Sequence, residues 1–314
     1  MTLAQPQFRP VPKEALAELG TDPIPAAPYY DPDWFERERE AIFKRSWIQI
    51  GHLCELPEPG SFIVRPFEVA RTSLLITRTA EGRVRAFHNL CTHRGTRLVA
   101  EPEGRRSRFT CPYHGWTFGN DGSLLAAPDF DNFFVDRAAC RLPEVACDVA
   151  GGFIFVNLDP EPAQSLAEYL GPLAEALERL PHARATTFAE YTYEVAANWK
   201  LTYDNFQENY HLRFIHPRSG EAAAGPDNPF GYPERYEFFG PHRTQRIWSN
   251  PAPAIKPFQG FAFGLGARFQ AERGFDPCRE DLLRDLSQPL SVRQSHDPLS
   301  ASGSCRSPRT ARAA

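Results

Sequence analysis

Between Trp34 and Trp47 the apolar residues Trp34, Phe35, Ile42, Phe43 and Trp47 punctuate a charged sequence, WFEREREAIFKRSW, in a roughly helical rhythm. That spacing predicts an amphipathic helix, with the aspartate of Pro32-Asp33 as its cap. From Ile48 to about Leu158 the rhythm shortens to β-rich runs: SFIVRPFEV, SLLITRT, VRAFHN, SRFT and GGFIFVNL, with a turn at Glu81-Gly82. This is the pattern of an all-β module. Residues 161–182 return to a helical pattern that Gly171-Pro172 must interrupt. TTFAEYTYEV then alternates apolar and polar positions, which predicts a half-buried strand. After it Asn198 caps NWKLTYDNFQENYH, whose Trp199, Tyr203, Phe206 and Tyr210 fall on one helical stripe expected to face a core.

Composition narrows the classes. With 314 residues, 42% apolar and 12% aromatic, the chain can fill the cores of two domains. A net charge of −4 gives no footprint for nucleic acid or an anionic membrane, and the 31 Arg against 4 Lys are read as genomic bias. The first 30 residues hold Pro6, Pro10 and Pro12 rather than a basic start and an apolar run, so no secretory signal is expected. No apolar run reaches membrane-spanning length. The scattered Cys54, Cys140, Cys147, Cys278 and Cys305 read as reduced thiols, and a cytoplasmic location is the default.

The chemistry concentrates in CTHRG…CPYHGW. Cys91 and His93 have one residue between them; after 17 intervening residues come Cys111 and His114, with two between them. Each pair is one short loop offering a thiolate and an imidazole. Zinc can take such a set, but zinc knuckles usually space their paired cysteines by two to four residues. Cys-x-His on one loop with Cys-x-x-His on the other is the spacing of a Rieske [2Fe–2S] cluster. Gly95, Pro112 and Gly115 suit loops that bend sharply. The ligand loops follow VRAFHN and SRFT, so their tips should lie beyond strand ends.

A second constellation follows. On one helix Asp204, Glu208 and His211 would fall within about 60° of one another. His216 would be about 140° from His211, so the chain must leave helical geometry before it, consistent with Pro217. Two histidines and a carboxylate around one metal are the donors of mononuclear non-haem Fe(II) oxygenases, although His-x4-His alone is a weak signal.

Through SWIQIGHLCELPEPG, CTHRG…CPYHGW, FVNLDP and NWKLTYDNFQENYHLRFIHP, residues 30–265 resemble the terminal oxygenase (alpha) subunits of Rieske non-haem iron oxygenases. The resemblance implies an α+β architecture: an all-β Rieske [2Fe–2S] domain and a helix-grip catalytic domain, an antiparallel sheet with helices. It implies Cys91, His93, Cys111 and His114 as cluster ligands and His211 and His216 as donors to a mononuclear Fe(II). Glu208 takes the place of an aspartate that bridges the two centres in many members. Glutamate there is similar to the carnitine and quaternary-ammonium subgroup, and Asp204, at the wrong offset, is expected to be structural.

The resemblance also implies partners. A reductase, directly or through a ferredoxin, would bring electrons from NAD(P)H to the cluster and on to O2 beside a small-molecule substrate, within a homotrimer in which one subunit's cluster serves its neighbour's iron. An aromatic ring is the first substrate expectation, as in aromatic hydrocarbon catabolism, and a quaternary amine the second. Phe230, Tyr232, Tyr236, Phe238, Phe239, Trp248, Phe258, Phe261 and Phe263 offer rings for either, most of them explained by core packing.

Domain limits are expected as an N-terminal arm and helix over 1–45, the Rieske domain over 46–158, an incomplete catalytic domain over 159–285 and a disordered, non-family tail over 286–314. All aromatic residues lie in positions 1–275, and the tail is rich in serine. A frameshift or early stop would explain that composition, leaving Asp276, Asp281, Asp285 and Asp297 as candidates for the third iron ligand. An inactive subunit that keeps its electron-accepting cluster is the remaining reading.

Overall fold

A computed structural model describes residues 22–186, 192, 194–216, 228–233 and 235–246. The chain forms two compact units, one built on 35–169 with 173–186, the other on 22–34, 170–172 and 197–246. No described helix is long and apolar enough to cross a membrane. The expectations for 1–21 and for the tail 286–314 lie outside the described residues, as does most of the strand expected over TTFAEYTYEV.

A one-turn helix α1 (Ala27–Tyr30) leads into α2 (Pro32–Glu38), which continues as a wider helical turn over Arg39–Phe43. The cap is Asp31 rather than Asp33: its Oδ1 accepts the backbone N–H of Asp33 at 2.9 Å, which places Asp33 inside the first turn. Trp47 is buried, and its indole N–H donates to the carbonyl of Gln164 at 2.9 Å.

The first-named unit is organised by a seven-stranded antiparallel sheet in the order β1-β10-β9-β4-β3-β2-β5. Its strands are β1 (Ile48–His52), β2 (Ser61–Phe67), β3 (Thr72–Arg78), β4 (Val84–His88), β5 (Glu103–Arg105), β9 (Glu144–Ala150) and β10 (Phe153–Asn157). A second sheet joins β6 (Arg108–Thr110), β7 (Thr117–Gly119) and β8 (Leu124–Ala126). The central strands are apolar on both faces because both faces are covered. Phe62 and Val64 of β2, Leu75 of β3 and Phe87 of β4 enter one core with Phe109 and Phe118 of the smaller sheet. Their sequence neighbours Ile63, Phe67, Leu74, Ile76 and Ala86 enter the other with Ile154 and Val156. Period-two alternation sorts each strand between the cores. Burying each such side chain stabilises by about 1.5–3 kcal/mol, so the sheet cannot shift register by one residue without exchanging both sets.

The helix expected over 161–182 is two pieces, α3 (Leu166–Leu170) and α4 (Pro172–Arg179), and Gly171 between them takes φ +53°. In the other unit α5 (Trp199–Asn205) and α6 (Leu212–Ile215) accompany a hairpin of β11 (Arg235–Phe239) and β12 (His242–Arg246).

His52 closes β1 in a buried position, with Nδ1 accepting the backbone N–H of Cys54 at 3.2 Å. Burial holds this imidazole below its usual range, a hydrogen bond to the His182 backbone opposes the shift while the His182 ring charge adds to it, and His88 is lowered by burial too. The unfolded chain therefore takes up these protons first as pH falls. The stability they contribute is complete above about pH 6.5 and is lost below it, with a limiting slope of about 1.4 kcal/mol per pH unit for one proton. Urea midpoints between pH 7.5 and 5 should fall, and more shallowly in His52→Gln, which keeps an acceptor without a titrating ring. An unchanged slope in that variant would remove His52 from the account.

Candidate metal centres

Two loops with one backbone design carry the first donor set. In each, the cysteine N–H bonds the carbonyl five residues on, Cys91 to Thr96 at 2.8 Å and Cys111 to Trp116 at 2.7 Å. In each, the glycine four residues on returns its N–H to the cysteine carbonyl, Gly95 at 2.8 Å and Gly115 at 3.0 Å. That closure requires positive φ, +69° at Gly95 and +73° at Gly115, where L side chains are disfavoured. The first loop leaves β4 and is stapled by Asn89, whose buried carboxamide donates to the Val99 carbonyl at 2.8 Å and accepts the Val99 N–H at 2.9 Å. The second loop is the turn between β6 and β7.

The sulfurs point inward, with Cys91 1% and Cys111 3% exposed, while His93 is half-buried and His114 exposed. Burial holds the Cys91 thiol above its usual range, and the adjoining Cys111 thiol adds to this; the backbone N–H groups of His93 and Arg94 act in the opposite direction and suit a thiolate. The His93 and His114 rings lie 4.6 Å apart, and Trp116 stacks on His93 at 5.0 Å. Phe133 meets both His93 and Trp116 edge-on. Nδ1 of His93 is buried with no hydrogen-bond partner. Two buried thiols and two imidazoles, one with an orphan nitrogen, are a donor set that fits a metal group. Among the described residues no three His, Cys, Asp or Glu side chains gather around a single ion. A division of two sulfurs and two nitrogens over two irons does not ask for that.

The second constellation departs from its expected shape. The helix predicted over NWKLTYDNFQENYH stops at Asn205, and Tyr203, Phe206 and Tyr210 are each about half exposed rather than core-facing. Asp, Asn, Gln and Glu side chains compete with the backbone for hydrogen bonds here. Glu208 turns its carboxylate onto the backbone N–H of His211 at 3.2 Å and onto that residue's Nδ1. Asp204 accepts the Tyr29 hydroxyl at 2.9 Å, a structural use. His211 and His216 bracket α6, with ring centroids 5.5 Å apart. His216, at φ −115° and ψ 44°, has left helical geometry.

Partial burial raises the Glu208 carboxyl, but hydrogen bonds from the His211 ring and from the His211 and Tyr210 backbone together hold it below the usual carboxylate range. It is therefore an anion at neutral pH that can keep the His211 proton on Nδ1 and leave Nε2 free as a donor. The two imidazoles fit part of an Fe(II) donor set. Asp276, Asp281, Asp285 and Asp297 lie outside the described residues, as do Trp248, Phe258, Phe261 and Phe263. Of the described rings, Phe230 stacks on Tyr210 at 5.5 Å and already carries the Arg213 guanidinium on its face. Sequence reasoning missed Asn89 and Phe133 around the first centre and Asn209 beside the second. Their partners are distant in sequence, and no local pattern marks them.

A family profile described as "Rieske [2Fe-2S] domain" matches residues 46–145, and one described as "Ring hydroxylating alpha subunit (catalytic domain)" matches 182–267. The chain is 35% identical over 194 residues to the glycine betaine monooxygenase oxygenase subunit of Pseudomonas aeruginosa, covering 62% of this chain and 44% of that relative. It thus spans about half the length of the curated relatives it matches. Among solved structures, a quaternary ammonium Rieske monooxygenase in complex with an inhibitor is 30% identical with TM-score 0.65, over 72% of this chain and 62% of that one. Naphthalene 1,2-dioxygenase from Rhodococcus sp. bound to indole is 28% identical with TM-score 0.64, over 83% and 61%.

A Cβ at Gly95 would meet nothing within 4 Å, so the cost of a side chain there is backbone strain alone. Gly95→Ala should destabilise the unit by about 1–2 kcal/mol and lower iron–sulfur content as purified. Gly95→Asn should recover part of the loss, because Asn tolerates left-handed backbone. Equal damage from both, read by thermal unfolding and visible absorption, would mean that φ is not the constraint.

Proposed function

Because the chain belongs to the Rieske non-haem iron oxygenase alpha subunits, we propose that it is the terminal oxygenase component for a quaternary ammonium compound. The observation that supports this is the Glu208 carboxylate on Nδ1 of His211, at the position where the resemblance expects the bridging residue, in a chain whose relatives include glycine betaine and carnitine monooxygenase subunits. The two domains bring a [2Fe–2S] cluster and a mononuclear iron. When bound, they supply single-electron storage and activation of O2 for insertion into the substrate.

In this reading the buried Cys91 and Cys111 would hold one cluster iron, and the half-buried His93 with the exposed His114 would hold the other. Neutral imidazoles in place of two thiolates lower the negative charge there, which favours acceptance of an electron from a reductase or an intervening ferredoxin that draws on NAD(P)H. His211 and His216 would hold the mononuclear iron. The Glu208 anion keeps the His211 proton at Nδ1 and links the centres across a subunit boundary in a homotrimer. The likeness to naphthalene 1,2-dioxygenase supports a second reading, in which the substrate is an aromatic ring that is hydroxylated or dihydroxylated.

The test supplies the chain with a competent reductase, NADH and Fe(II), then a panel of quaternary amines and aromatic acids. Oxygenated or demethylated quaternary amine, with about three irons per chain, is the expected result. Product from aromatic substrates alone would favour the second reading. Cluster reduction with about two irons and no product would leave an inactive subunit that keeps only its electron-accepting cluster.

Glu208→Gln should keep both metals and reduce turnover by at least about tenfold, since the neutral amide no longer anchors the His211 proton. Loss of the mononuclear iron in that variant would instead make Glu208 a ligand.

A further inference from the structure

Besides the Tyr210–Phe230 stack, the turn from Gln207 to His211 is held by a polar strap. Phe206 and Tyr210 are 49% and 60% exposed, whereas Asn209, between Glu208 and Tyr210, is 9% exposed. Asn209 Nδ2 donates to the Gly231 carbonyl at 2.8 Å, and its Oδ1 accepts from Gln245 Nε2 at 2.8 Å. Both partners are themselves fixed. Arg243 donates to Gln245 Oε1 at 3.4 Å and to the Gln207 carbonyl at 2.7 Å, so Gln245 presents its amide N–H groups to Asn209. Asn228, 1% exposed, bonds both the N–H and the carbonyl of Tyr232, and Gly231 within that loop takes φ +64°.

We infer that Asn209 is a positioning residue: its buried carboxamide fixes the 207–211 turn against the β11–β12 hairpin and thereby holds the Glu208 carboxylate on Nδ1 of His211. The consequence for metal binding rests on the reading of His211 and His216 as iron donors; the geometric role does not. The site asks for one donor and one acceptor at the same place, which a carboxamide supplies and a carboxylate or methyl group does not. Tyr236, the cross-strand partner of Gln245, carries the Arg243 guanidinium over its ring at 5.1 Å, so the hairpin face toward the strap is itself closed. The strap thus sets the geometry of a half-exposed carboxylate from a buried neighbour.

Asn209→Asp, Asn209→Ala and Gln245→Ala are compared in the full chain with Tyr29→Phe, which removes a hydrogen bond to Asp204 but touches no part of the strap. Two measurements are made: the His211 tautomer by 15N NMR without metal, and the dissociation constant and ligand-field spectrum of Co(II) as a probe of the mononuclear site. Wild type should show the Nδ1–H tautomer. The two Asn209 variants should show mixed tautomers and Co(II) binding weakened about tenfold, Gln245→Ala a smaller change of the same sign, and Tyr29→Phe neither. Gln245→Ala keeps the test decisive if an Asn209 variant does not fold. An unchanged tautomer in Asn209→Asp and Gln245→Ala overturns the inference, and so does an equal shift in Tyr29→Phe. Wild type that binds no Co(II), with the tautomer still shifting in the strap variants, overturns the iron reading and leaves the role of Asn209 standing.

Discussion

The hydrogen bond from a cysteine N–H to the carbonyl five residues on, made once at Cys91 and once at Cys111, decides how the larger unit is arranged around its donors. It turns the sulfur inward and carries the histidine outward on the same short loop. The two loops lie side by side, with Cys91 and Cys111 in the core that Phe62, Leu75, Phe87, Phe109 and Phe118 fill and the His93 and His114 rings 4.6 Å apart. That core needs both sheets, and both sheets are needed to hold the loops. A one-residue slip of β4 would move Phe87 to the opposite face and take the first loop with it. The strands carry no chemistry of their own, yet their register determines where the chemistry sits.

The two centres are built on different physics. The cluster loops are secured by hydrophobic burial of the thiols and by backbone closure, terms that sum to many kcal/mol over a close-packed core. The His211–His216 centre stands on a helix of one turn, flanked by half-exposed rings and held by side-chain amides, each worth about 0.5–1.5 kcal/mol net. Such a site depends on every member of its network being satisfied: Asn209, Gln245 and Arg243 are hydrogen-bonded in sequence, and Asn228 separately holds the Tyr232 backbone of the loop that carries Gly231. Tyr236 registers the same neighbourhood: burial raises its hydroxyl pKa, the Glu208 charge adds to the shift and Arg243 opposes it. Glu208 is thus placed by the network while its carboxylate stays half exposed and charged.

Read from the sequence alone, the chain determines its four-donor loops, its expected iron histidines and the alternation that divides β2, β3 and β4 between two cores. Gly171-Pro172 likewise announces the break between α3 and α4. These signals are local: ligand spacing, glycine at positive φ, proline without an N–H and a period of two are all set within a few residues. Tertiary structure alone decides that Asn89 and Asn209 are the anchors; the end of α5 at Asn205 and the Asp31 cap of α2 rest on local hydrogen bonds that periodicity does not register. In periodicity these polar residues look like solvated positions. What makes them structural is a partner brought in by the fold, the Val99 backbone for Asn89 and Gly231 with Gln245 for Asn209. A hydrogen bond between residues far apart in sequence leaves no trace in the spacing of either one.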